Sequence, residues 1–251
     1  MYAEERREYI LKKLQTDGKV SVLDLSDELQ VSEVTIRRDL AVMDDMNLLT
    51  RTYGGAIERK SVTEQFSYIE RETLNIDSKK HIAKKASTFL RERTSIFLDA
   101  GTTVRQLIPY VGELNSATVI TFDIAMATDL ARYPHITTVL VGGFLEHQTL
   151  SLVGIDTYKK IETLQADLSF IGCDAFNDTD AFSTSTMRAA IKAKLIENSD
   201  QSVLMCDSSK YRQKSLNTFA KLKDFNCFTT DRHNDRLNKF LSEQSLKNVI
   251  Q

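Results

Sequence analysis

The sequence predicts an α/β chain in two parts: a winged helix-turn-helix over residues 1–57 and a mostly parallel α/β domain over 81–251, joined through residues 58–80. Three observations lead there. Apolar residues recur at helical spacing in three short stretches before residue 50, and a glycine pair follows. From residue 81, short wholly apolar runs alternate with amphipathic ones, the rhythm of a parallel sheet covered on both faces. Between these regions, "ERKSVTEQFSYIERETLNIDSKK" is charged and weakly periodic, which reads as a linker and a helix that helps to dimerise the chain.

Composition sets the outer bounds. The chain has 251 residues, 41% hydrophobic and 27% charged, enough for real cores and too apolar for a disordered protein. A net charge of −2 announces no nucleic-acid partner by itself. Cys173, Cys206 and Cys227 are widely spaced in or beside apolar runs and read as reduced core residues, not as a disulfide frame or metal site. "MYAEERREYI" lacks an apolar signal core and no apolar run nears 18 residues, so a cytoplasmic protein is expected.

The first helix carries Ile10 and Leu14 on one face. The second opens at Ser21 as N-cap with Asp24 three residues on, and repeats Val22, Leu25 and Leu29. The third opens at Ser32, another N-cap, and repeats Ile36, Leu40 and Met43. "LLTRTYGGAI" then reads as a hairpin wing. At about 100° per residue, Arg37 and Arg38 fall opposite the apolar face with Val34 and Ala41, and Thr35 lies at the side. A solvated charged face is the plain reading of such a pair. The close spacing of the preceding helix, and Arg51 with Tyr53 on the wing, favour a DNA-reading helix instead. One count opposes tight binding by a single copy: residues 1–57 hold 8 Lys/Arg against 11 Asp/Glu. Affinity then depends on where Arg37, Arg38, Arg51, Lys12 and Lys13 sit, and on two or more copies acting on one DNA.

"SEVTIRRDL", with Arg6, Ile10 and Leu14 upstream and "LLTRTYGGA" downstream, resembles the N-terminal signature of the DeoR family of bacterial transcription regulators. The resemblance implies contact with double-stranded operator DNA by Arg37 and Arg38, with Ser32, Thr35, Arg51 and Tyr53 completing the candidate set. It also implies a structural role for Asp39.

In the second part, "HIAKKASTFL", "TTVRQLIPYV", "IAMATDLARY", "IDTYKKIETL" and "MRAAIKAKLIENS" read as helices. "SIFLDA", "TVITFD", "TTVLVGG", "DLSFIGCDAF", "SVLMCD" and "FNCFTTD" read as strands. Ligands of such sheets sit beyond the carboxyl ends of the strands. There the sequence places Asp99-Ala100-Gly101-Thr102-Thr103, Thr121-Phe122-Asp123, Gly142-Gly143, Gly172-Cys173-Asp174 and Asp207-Ser208-Ser209-Lys210. Gly101 permits close backbone approach, and a helix opening at Thr102-Thr103 offers free N–H groups to an anion. Taken alone, that stretch reads equally as a plain strand–helix turn with a threonine cap. Five polar strand ends together favour a small phosphorylated ligand, and Lys210 suits a phosphate or Asp207.

Residues 75–235 resemble the sugar-phosphate-sensing domain of the same family, related in fold to ribose-5-phosphate isomerase and glucosamine-6-phosphate deaminase, through "DAGTT", "VGG", Val153-Gly154, "DLSFIG", "AAIKAKLI" and "CDSSK". The resemblance implies effector contacts from Asp99, Gly101, Thr102, Thr103, Asp167, Lys192 and Lys210. Asp123 joins them where the family commonly shows Thr-Asn-Ser, and Ala189 stands where an acidic residue is often found. Asp99, Asp123, Asp174 and Asp207 could supply the base of an isomerase, but a DNA-binding module argues for a regulator. His81, His135, His147 and His233 show no metal-ligand spacing, so neither metal nor cofactor is expected. The expected protein is a dimer or tetramer held by its C-terminal domains, a repressor released from its operator by a phosphorylated sugar.

Overall fold

The computed structural model describes residues 2–46, 48–58, 67–211, 215–231, 237 and 249–250. Two compact units emerge, Met1–Ser61 and Val62–Gln251.

The first unit contains α1 (Ala3–Asp17), β1 (Lys19–Ser21), α2 (Val22–Leu29), α3 (Glu33–Asp45), β2 (Leu49–Thr52) and β3 (Gly55–Glu58). Ser21 caps α2 through Asp24 N–H at 3.5 Å, and Ser32 caps α3 through Thr35 N–H at 3.2 Å. The three apolar faces meet in one core of Ile10, Leu14, Leu25, Ile36, Leu40 and Met43, closed by Leu49 and Ala56. β2 and β3 pair antiparallel from Leu49↔Glu58 to Thr52↔Gly55, which makes the wing. Its third strand, β1, pairs with β3 and was not anticipated. Gly55 explains that closure: a Cβ there would lie 1.8 Å from the Val20 carbonyl oxygen.

The second unit opens with α4 (Tyr68–Thr73) and α5 (Ile76–Ala86), then β4 (Ser95–Leu98), α6 (Ile108–Val111), β5 (Ala117–Thr121), α7 (Ile124–Leu130) and β6 (Ile136–Leu140). It continues with β7 (Phe144–Glu146), β8 (Ser151–Val153), α8 (Ile155–Glu162), β9 (Ala166–Gly172), β10 (Ala175–Phe176) and β11 (Asp180–Ser183). α9 (Thr186–Glu197), β12 (Ser199–Met205), β13 (Asn217–Lys221), β14 (Cys227–Thr229) and β15 (Val249–Ile250) complete it. Seven strands form a parallel sheet in the order β15-β14-β12-β9-β4-β5-β6. Alternation along each strand divides the core. Ile96 and Leu98 pack with Ile82 of α5 and Met126 and Leu130 of α7. Phe97 faces the other way, toward Ile161 of α8 and Ile191 and Leu195 of α9. The three cysteines are buried free thiols.

The structure departs from the sequence reading in four places. The helix expected over "TTVRQLIPYV" is a 3-10 turn, Val104–Leu107, followed by the one-turn α6 with Pro109 in its first turn. A proline has no N–H to donate inside a helix, so the helix restarts there. α5 begins at Ile76, five residues ahead of the expected start. The antiparallel pieces, a β7–β8 hairpin and a β10-β11-β13 sheet, were not foreseen. The joint expected over 58–80 falls partly on 59–66, which lies outside the described residues, as does His233.

Candidate functional site

In the first unit, Ser32 Oγ and Thr35 Oγ1 lie 2.9 Å apart and close the start of α3. Arg37 and Arg38 are exposed on that helix. Arg37 Nη2 reaches Glu33 Oε2 at 2.9 Å, an i,i+4 pair that is about half exposed on both sides (49% and 42%) and so holds the arginine only weakly. Arg38 and Arg51 have no side-chain partner among the described residues. Tyr53 stands exposed at the wing turn. Lys12 pairs with Glu8 at 3.0 Å in an i,i+4 pair more exposed than that of Arg37 and so is held only weakly, and Lys13 pairs with Glu28.

Asp39 turns inward. Its Oδ2 accepts from Arg6 Nε at 2.8 Å, and its Oδ1 from Arg7 Nε at 3.1 Å. It therefore clamps α1 to α3, and orients neither Arg37 nor Arg38.

In the second unit the carboxyl ends of the strands carry a dense charged rim. Asp99, just past β4, is fully buried; its Oδ2 accepts from Lys192 Nζ and, at 2.9 Å, from Gly172 N–H. Its Oδ1 has no partner. Burial lifts the Asp99 pKa above the ordinary carboxylate value, against the pull of Lys192. Asp123, past β5, caps α7 with Oδ1 on Met126 N–H at 2.9 Å, while its buried Oδ2 has no partner. Burial raises its pKa to about 6; the N–H groups of Met126, Gly101 and Ala125 pull the other way. Gly101 reaches this turn with φ +151°, a region that favours glycine.

Past β9, Asp174 Oδ2 accepts from Thr184 N–H at 2.9 Å and from the hydroxyls of Ser183 and Thr184 at 3.1 Å. Burial alone would raise its pKa, but Arg188 and Lys192 outweigh burial and hold it low. Past β12, Asp207 takes Asn75 Nδ2 at 3.2 Å and the Ser209 hydroxyl, while Lys210 Nζ donates to Cys173 O at 2.9 Å. Thr102 and Thr103 are buried, and Thr102 donates its hydroxyl to Arg71 O at 3.2 Å.

Asp167 does not join the rim. It is the second residue of β9, at the amino end of the sheet, where its carboxylate is exposed and binds Ser95 N–H at 2.7 Å. The five residues from there to Gly172 separate it from the rim by about 16 Å. The expected effector contact is therefore corrected to a strand-to-strand tie. The anion site expected on a helix starting at Thr102 is corrected too, because a 3-10 turn and a one-turn helix carry little aligned dipole.

Three cations of the rim escaped the sequence reading. Arg188 (2% exposed) stands one turn before Lys192 on α9, with Nε 3.0 Å from Glu146 Oε2 and Nη2 3.0 Å from Thr184 Oγ1. Two cations at i,i+4 on a largely apolar helix were the available signal. Lys79 is buried on α5 and donates to Arg71 O; burial first, then Lys210, brings its pKa down to about 8. Arg71 of α4 carries buried Nε and Nη2 that have no hydrogen-bond partner among the described residues, in the field of Asp174, Arg188 and Asp123. Nothing in "YIERET" marked it.

This rim thus offers two guanidinium nitrogens of Arg71 and two carboxylate oxygens, on Asp99 and Asp123, that have no hydrogen-bond partner among the described residues. An anion that also carries hydroxyl donors complements all three.

Comparison with known proteins gives family matches over both units. Residues 6–62 match the DeoR-like helix-turn-helix domain, and residues 74–232 the DeoR C terminal sensor domain. The uncharacterized HTH-type transcriptional regulator YulB of Bacillus subtilis is 32% identical over 92% of this chain and 90% of its own. The HTH-type transcriptional regulator GlpR of Haloferax volcanii is 33% identical over 91% of this chain and 89% of its own. Among solved structures, ribose 5 phosphate isomerase A from Neisseria gonorrhoeae is 20% identical, with a TM-score of 0.38 over 53% of this chain and 52% of that one.

Proposed function

Since the chain belongs to the DeoR family and is a DNA-binding transcription regulator, we propose that α3 reads operator DNA and that the charged rim binds a phosphorylated sugar that releases it. The observation that carries the second half is the set of buried, unpartnered atoms: Arg71 Nε and Nη2, Asp123 Oδ2 and Asp99 Oδ1. A buried polar atom without a partner costs about 1–3 kcal/mol. A ligand that supplies the partners recovers that energy, and a sugar phosphate has both an anionic group for Arg71 and hydroxyls for the carboxylates.

At the DNA, Arg37, Arg38 and Arg51 supply the cations, with Ser32, Thr35 and Tyr53 around them. Because the first unit is acidic overall, two or more copies act together, held as a dimer or tetramer by the second unit. The protein works in the cytoplasm, and repression relieved by ligand is the sign of control. The ligand relieves it by binding the DNA-free arrangement more tightly, about 1.4 kcal/mol for each tenfold shift.

A thermal-unfolding screen of the full chain against pentose and hexose monophosphates, their free sugars and inorganic phosphate tests the ligand class. At 100 times its dissociation constant a true effector adds about 2.7 kcal/mol of stability, and it weakens operator binding in mobility-shift titrations. Equal stabilisation by the free sugar would remove the anion from the reading. No stabilisation by any phosphate would remove the effector site.

A further inference from the structure

α4 is six residues long, too short to hold itself as a helix in water, so its shape depends on what it docks against. Arg105 is the main anchor. Its Nη1 binds Glu72 Oε1 at 2.6 Å and Tyr68 OH at 3.0 Å, its Nε binds Asp129 of α7 at 2.6 Å, and its guanidinium lies 5.8 Å from the Tyr68 ring. Thr102 and Lys79 add hydrogen bonds to the Arg71 carbonyl. Every one of these contacts fixes the α4 backbone or the side chains of Tyr68 and Glu72. None satisfies the Arg71 guanidinium, which lies in the field of Asp174, Arg188 and Asp123 with two buried nitrogens that have no hydrogen-bond partner among the described residues.

The position in the chain adds a second fact. The helix-turn-helix match ends at residue 62 and the sensor match begins at 74, so Arg71 belongs to neither family segment and lies on the only stretch that joins them.

Resting on the effector reading above, we propose that Arg71 binds the anionic group of the ligand and thereby couples occupancy of the rim to docking of α4, the first described helix after the DNA-binding unit. An unpaired buried guanidinium weakens the docked state of α4 when the site is empty. An anion supplies the missing partners only while α4 is docked. By linkage, the factor by which docking tightens ligand binding is the factor by which ligand tightens docking. Retaining an arginine here is a cost in the free protein and a gain only in the complex, the pattern of a residue kept for binding.

Three measurements on the full-length protein and its Arg71→Met and Arg71→Lys variants test this. First, without ligand, Arg71→Met should melt at or above the wild-type temperature, since it removes buried hydrogen-bond donors that have no acceptor and keeps the apolar stem; a clear fall would make Arg71 structural and overturn the proposal. Second, in hydrogen exchange, saturating sugar monophosphate from the same panel should slow the amides of 68–74 at least tenfold in the wild type and leave Arg71→Met unchanged. Third, operator release, normalised to each protein's own ligand-free affinity, should need at least tenfold more ligand in Arg71→Met, with partial recovery in Arg71→Lys. Wild-type behaviour of Arg71→Met in the last two overturns the coupling and leaves the effector site standing. A panel in which nothing binds the wild type overturns the effector reading itself, and the coupling with it.

Discussion

Arg38 and Asp39 are neighbours on α3 whose side chains leave the helix about 100° apart, which puts one in solvent and the other in the core. Arg38 is exposed and has no partner among the described residues, whereas Asp39 is 3% exposed and holds two arginines of α1. Replacing Arg38 by Ala should leave the unfolding midpoint within about 0.5 kcal/mol of wild type. Operator affinity should fall by about 1–3 kcal/mol, with relaxed preference at one base pair. Replacing Asp39 by Ala removes the carboxylate that Arg6 and Arg7 share, and these arginines are only 11% and 27% exposed. Because Arg7 is partly solvated, about 2–4 kcal/mol is the expected loss, below the ceiling for a fully buried pair. Urea unfolding of both variants distinguishes the roles; a wild-type midpoint for Asp39→Ala would dissolve the clamp. The outward direction of Arg38 follows from helical phase and was legible. The partners of Asp39 lie 32 and 33 residues away, and no local pattern encodes that pairing.

Elements were legible in proportion to their length and apolar content. β4, β5 and the carboxyl halves of β9 and β12 are buried on both faces, so these stretches are nearly continuous apolar runs. β1, β7, β8 and β10 are two or three residues long and take their pairing from neighbours rather than from their own composition. The wing shows both behaviours within one glycine pair. A Cβ on Gly54 meets nothing within 4 Å, while one on Gly55 runs into the backbone of Val20. Gly54→Ala should therefore change stability by no more than about 0.5 kcal/mol. Gly55→Ala should cost at least about 1–3 kcal/mol by forcing β1 from β3. Circular-dichroism melts of the first unit decide it, and equal effects of the two changes would refute the packing argument.

Across the whole molecule, the two units pose different electrostatic problems. The first has more carboxylates than cations and a small complete core of its own. On the proposed reading its contact with DNA comes from a few exposed arginines, and affinity is multiplied by assembly. Residues 1–62 alone should accordingly bind operator DNA at least about a hundredfold more weakly than the full chain, with a shallower dependence on salt. Fluorescence anisotropy across a salt series measures both, and equal affinity would mean that assembly contributes nothing. The second unit gathers its buried charges at one end of its sheet, where most are already paired. Its capacity for a ligand lies in the few that are not.

The sequence by itself determined the two-part architecture, the family, the outward-facing arginines and most of the strand ends that form the rim. Those features follow from periodicity and from motifs contiguous in the chain. Only the tertiary structure decided which charges are already satisfied. It paired Lys192 with Asp99, tied Asp167 to Ser95 at the far end of the sheet, and buried Arg188 beside Asp174. It also carried Arg71 out of a charged stretch and into the field of the rim. The physical reason is that a strand's pattern reveals which face is buried, but whether a charge has a partner depends on segments tens of residues away, brought together by folding.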